Sequence, residues 1–67
     1  MKTLVIRFYH NAEMSDIREV LENLLMLDKR ANIHREMNPV TRWIDTNLSI
    51  DDIMCFPSVA DCIESNK

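Results

Sequence analysis

The chain has 67 residues, 46% of them hydrophobic, with eight basic and eleven acidic side chains and a formal net charge of −3. One domain of that length buries only about 60% of the surface its unfolded form exposes, so a single core leaves roughly 3–5 kcal/mol of net stability unless a metal, a disulfide or a partner adds to it. The charges are interspersed, with no basic stripe to follow a phosphate backbone. Glycine is absent, which excludes glycine-rich phosphate loops, dinucleotide fingerprints and nucleophile elbows, because each needs a residue without a Cβ.

Thr3 to His10 alternates Leu4, Ile6 and Phe8 with Val5, Arg7 and Tyr9, and a period of two with one wholly apolar face predicts a strand. Lys2, this short apolar run and Arg7 lack the h-region and cleavage site of a signal peptide. No apolar run approaches the ~20 residues that cross a bilayer, so the expectation is a soluble, cytoplasmic protein. From Ser15 to Leu27, the residues Ile17, Val20, Leu21, Leu24 and Leu25 repeat at i, i+3, i+4, i+7 and i+8, the spacing of an amphipathic helix. Arg18, Glu19, Glu22 and Asn23 occupy its polar side, and Asp16 and Glu19 suit the positive end of the helix dipole. Met26 points away from Ile17, among Arg18, Glu22, Lys29 and Arg30.

Ala31 to Met37 carries a weaker strand pattern, with Ala31, Ile33 and Met37 on one face and Arg35 interrupting it. Two strands joined by a helix predict a right-handed crossover beside that helix. Asn38 and Pro39 then stand as N-cap and first helical residue, and Val40, Trp43, Ile44, Asn47 and Leu48 keep helical spacing, which predicts a short helix. Trp43 would be a core residue packed on the Ser15–Leu27 stripe. The rival is a hairpin of Ile33–Met37 with Val40–Thr46, disfavoured because a two-residue type I′ turn needs positive φ that proline does not adopt.

In the tail, Ser49 and Asp52 are spaced as a capping box, with Leu48 and Ile53 at the staple positions around them. Ile50, Ile53 and Met54 give that helix its apolar side. Pro57 ends it, and Ser58 with Asp61 repeats the cap for a last helix bearing Val59, Cys62 and Ile63. Leu48 to Asp61 resembles the end of peptidyl and acyl carrier domains, where a short helix, a proline and a small hydroxyl residue lead into the final helix. Upstream, Lys29, Arg30, Ala31 and Asn32 stand where those carriers present a glycine-flanked serine to the phosphopantetheine arm, so the resemblance implies no carrier function. The expected fold is a small single α+β domain, β-α-β followed by two or three short helices, with βαββα as the alternative.

Ser49 or Ser58, His10 or His34 and several aspartates can be written as a hydrolytic triad, but both serines have better use as caps and the chain has little room for a shielded cleft. His10, His34, Cys55 and Cys62 are enough in number for a zinc site, yet their spacing matches no paired-ligand arrangement. On one straight helix Cys55 and Cys62 would lie roughly 10 Å apart, too far to bridge, so reduced structural thiols are expected. A helix-turn-helix between Pro39 and Phe56 would place Asp51 and Asp52 where phosphates approach. No catalytic residue, metal or cofactor is expected.

What remains is a non-enzymatic protein-binding module, an inhibitor or regulator that occupies a surface of a larger protein, in the manner of small phage and mobile-element proteins that block host machinery. The alternatives are a nucleic-acid-binding transcriptional regulator and a small metal or thiol protein. Two surfaces are candidate interfaces: the strand face of Val5, Arg7 and Tyr9, and the helix face of Arg18, Glu22 and Met26. The strand side is preferred because sheet edges offer backbone pairing. The expected partner is a protein, either a target or a second copy; a membrane, a nucleic acid and a small-molecule substrate are not expected.

Overall fold

The alternating segment forms a strand, β1 (Lys2–Phe8), in a computed structural model that describes residues 1–34, 38 and 40–65. Leu4, Ile6 and Phe8 are buried, which leaves Val5 and Arg7 on the opposite side of the strand. The amphipathic segment is α1 (Met14–Leu27), and its Ile17, Val20 and Leu24 join the β1 residues in one core. The Asp16 carboxylate accepts the Glu13 N–H at 3.2 Å, closing the first turn. The stripe that reaches the core is narrower than its five apolar residues predict. Leu21 is only partly buried and Leu25 is 37% exposed, because each residue turns about 100° round the helix and a sheet meets only one line of it.

The helix expected over Val40–Leu48 is instead a strand, β3 (Thr41–Thr46), antiparallel to β1 with Leu4 opposite Ile44 and Val5 opposite Trp43. The local cue is present: Asn38 Oδ1 accepts the Val40 N–H at 3.0 Å. Beyond it, Thr41, Trp43, Ile44 and Thr46 are strand formers, and the unpaired edge of β1 draws them into an extended conformation, a tertiary effect that outweighs helical spacing. A short strand, β2 (Asn32–Ile33), pairs with the far side of β3. It is the described part of the strand expected over Ala31–Met37; Arg35, Glu36 and Met37 lie outside the described residues. The expected β-α-β order is present as β1, α1 and β2, but β3 lies between the two strands, and the alternative βαββα describes the first five elements.

Helix α2 (Ile50–Met54) starts as its capping box predicts. The Asp52 N–H donates to Ser49 Oγ at 3.1 Å and the Ser49 N–H donates to Asp52 Oδ2 at 3.0 Å. Ile53 is fully buried and Leu48 packs against the same core, so the staple holds too. Replacing Ser49 by alanine is expected to cost about 1 kcal/mol, read as a lower denaturation midpoint; an unchanged midpoint would show that the cap contributes nothing.

The last helix expected on Val59, Cys62 and Ile63 is also a strand, β4 (Val59–Ser65), antiparallel to β1 on its free side. Its three-residue spacing imitated a helix because a bulge interrupts the pairing: Phe8 faces Val59 while Arg7 faces Asp61. The extra residue reverses the alternation, so both Val59 and Cys62 point into the core. Where Ser58 was expected to cap, its carbonyl accepts the Tyr9 N–H at 3.2 Å and starts the ladder. A strand at this place also removes the match to the final helix of carrier domains, and β3 removes the first helix of a helix-turn-helix.

The sheet order is β2-β3-β1-β4 with every pair antiparallel. The element sequence βαββαβ with the first and third strands central is the split βαβ, or ferredoxin-like, topology. Both helices send their buried residues into the core shared by Leu4, Ile6, Phe8, Ile44, Val59 and Cys62. They therefore cover one face of the sheet. Among the described residues, no helix is long and apolar enough to cross a membrane.

Candidate functional site on the open face of the sheet

The strand register arranges the uncovered face in three rows. Val5 lies between Trp43 and Ile63, Thr3 between Asp45 and Ser65, and Arg7 between Thr41 and Asp61. The middle row is apolar and continues towards β2, where the His34 N–H donates to the Trp43 carbonyl at 2.8 Å. Val5 and Trp43 are half-buried by their neighbours, and Ile63, at the end of the row, is 50% exposed.

Polar pairs close both ends of that row. Arg7 Nη2 donates to Asp61 Oδ2, and Asp61 Oδ1 accepts the Cys62 N–H at 2.9 Å. The guanidinium first and the amide second hold the Asp61 carboxyl below the usual carboxylate range. At the other end Thr3 Oγ1 donates to Asp45 Oδ1 at 2.6 Å, and His34 Nε2 stands 2.9 Å from Asp45 Oδ2. The imidazole contact is close, but its ring nitrogen makes no aligned hydrogen bond. The Thr3 hydroxyl, then His34, lowers the Asp45 pKa. Arg7 and Asp61 are solvent-exposed, whereas His34 and Asp45 are partly buried, so the worth of the first pair lies in fixing side-chain positions across strands more than in stability.

Of the six candidate interface residues, Val5 and Arg7 lie on this face. Tyr9 follows the end of β1, 51% exposed, its carbonyl accepting the Ala12 N–H at 2.9 Å. Arg18, Glu22 and Met26 are exposed on α1, in the layer on the other side of the sheet, with Met26 at 75%. The two candidate surfaces are thus separate sides of the molecule. Trp43, Ile63, Asp45 and His34 belong to the open face and were not singled out for it. The signal was available in Thr41–Trp43–Asp45 alternating with Arg42–Ile44–Thr46, a period-two pattern that the helical spacing of Val40, Trp43 and Ile44 masked.

The cysteines are unpaired and lie on different elements, so the one-helix estimate of their separation does not apply. Cys55, the C-cap of α2, is exposed. Cys62 is buried, and burial first, with Asp61 second, pushes its thiol up to about 11, which leaves little thiolate at neutral pH. Among the described residues no three His, Cys, Asp or Glu side chains converge as a metal-ion cluster. The chain matches no family model, no curated protein and no solved structure.

Proposed function

We propose that the protein is a non-enzymatic protein-binding module, an inhibitor or regulator that seats the open face of its sheet on a larger protein. The observation that carries this is the row of Trp43, Val5 and Ile63, an apolar centre framed by polar pairs on both sides. Protein interfaces have that anatomy, and tryptophan is the side chain most often found as their energetic anchor. Arg7 and Asp61 already neutralise one another, so covering them strands no single buried charge. On α1, by contrast, exposed Met26 has exposed Leu25 and Leu27 beside it in the last turn, but successive residues point about 100° apart round a helix and form no single row. A surface-blocking role, of the kind small phage proteins perform, needs such a face and no catalytic group.

Affinity capture from the native host lysate with paired baits tests the proposal. A protein held by the wild type and by Met26→Glu is expected to be lost from Val5→Lys and Trp43→Lys, each variant first shown to be folded by circular dichroism. Loss with Met26→Glu and retention by both sheet-face variants would move the interface to α1.

A further inference from the structure

We propose that the outer edge of β4 is a strand-addition site for an extended segment of a partner protein in which apolar and basic residues alternate. The backbone directions settle which groups are available there. The Phe8 N–H donates to the Val40 carbonyl and the Tyr9 N–H to the Ser58 carbonyl, so even-numbered residues of β1 bond towards β3 and odd-numbered ones towards β4. Asp61, Ile63 and Ser65, which face Arg7, Val5 and Thr3, therefore use their backbone groups on β1. Cys62 and Glu64 turn theirs outward. The Cys62 N–H confirms the direction, because it bonds to the Asp61 carboxylate and not to β1.

No described strand lies beyond β4. Its edge presents the Cys62 carbonyl and both backbone groups of Glu64 to an incoming chain, while Asp61 shields the remaining N–H, a device that discourages indiscriminate pairing. An added strand would exchange the Asp61 bond for a backbone bond. Side-chain chemistry then selects the partner. On the open face, the residue beside half-exposed Ile63 extends the row of Trp43 and Val5 and is apolar. On the other face, Glu64 is exposed and α2, which packs on β4, carries exposed Asp51 and Asp52, so the flanking residues are basic. A second copy of this chain would bring another Glu64 to the same flank, and like charges across strands oppose pairing. This site depends on the backbone of β4 and stands apart from the open-face proposal.

The test titrates the full chain, followed by amide NMR, with a capped heptapeptide of alternating valine and lysine, and with the same peptide carrying glutamate for lysine. The lysine peptide is expected to shift the amides of Cys62 and Glu64 and to slow their hydrogen exchange, and the glutamate peptide to bind many-fold more weakly. N-methylation of the lysines, whose amides face β4 in an antiparallel addition, is expected to abolish binding, and N-methylation of the valines to spare it. Glu64→Pro removes an outward N–H without touching the β1 ladder and is expected to lose the peptide, while Trp43→Lys retains it. Equal binding of both peptides, shifts confined to Trp43 and Val5, or no binding by either peptide would overturn the proposal. So would concentration-dependent dimerisation of the free chain that Glu64→Pro removes, which would assign the edge to a second copy.

Discussion

Ile44→Ala is expected to unfold the domain, whereas Trp43→Ala, which deletes a larger side chain one residue away, is expected to leave it folded. Ile44 is fully buried opposite Leu4, in the layer that β1 and β3 share with α1. Truncating such an isoleucine costs about 2–5 kcal/mol through lost transfer energy and the cavity left behind, against roughly 3–5 kcal/mol for the whole of a domain this small. Trp43 lies on the other side of the same strand, half-exposed beside Val5, and its removal opens no cavity between sheet and helices. Far-UV circular dichroism and urea titration of the two variants give the comparison. A cooperative transition for Ile44→Ala and none for Trp43→Ala would mean that Trp43 points inward, as a one-residue slip of β3 would require.

The segments legible from sequence are those whose signals are local. Leu4, Ile6 and Phe8 announced both β1 and its buried face, Ile17, Val20 and Leu24 announced α1, and Ser49 with Asp52 marked the start of α2. The α+β class followed from these. β3, which the sequence offers only as the disfavoured hairpin alternative over Val40–Thr46, and β4, expected as a helix, owe their conformation to the edges of β1, which no window of neighbouring residues contains. Each also carried a misleading local pattern: an Asn38 side-chain bond that serves a turn as well as a cap, and a bulge that gives Val59 and Cys62 helical spacing. The candidate site was legible to the same extent. Val5 and Arg7 were visible as the unsatisfied face of β1, but their companions Trp43, Ile63, Asp45 and Asp61 are defined by cross-strand register, and register requires knowing that β3 and β4 exist.

Thr46→Val, nearly neutral in volume, is expected to cost about 1–3 kcal/mol, the penalty for leaving a buried polar group without its partner. Thr46 is fully buried at the end of β3. Its hydroxyl donates to Asp28 Oδ2 at 2.7 Å and accepts the Leu48 N–H at 3.1 Å. Asp28 is the last cap residue of α1, and the same carboxylate oxygen accepts the Asn47 N–H at 3.0 Å. This one side-chain cluster ties the end of α1 to the turn between β3 and α2, and valine would leave the Leu48 N–H without its acceptor. The Asn47 amide first and the Thr46 hydroxyl second hold the Asp28 carboxyl below its ordinary 3.8. A depressed carboxylate pKa adds stability that is complete above the unfolded value and is lost as pH falls through the folded one. Asp45, Asp52 and Asp61 shift in the same direction, so the wild type is expected to weaken in acid as a whole. The difference between wild type and Thr46→Val isolates the share of the Asp28 contribution that runs through the Thr46 hydroxyl. Denaturation midpoints taken at neutral pH and again below 3.8 are expected to show a gap that narrows in acid. Equal midpoints at neutral pH, or a gap that widens as Asp28 is protonated, would show that the cluster does not hold α1 to the turn.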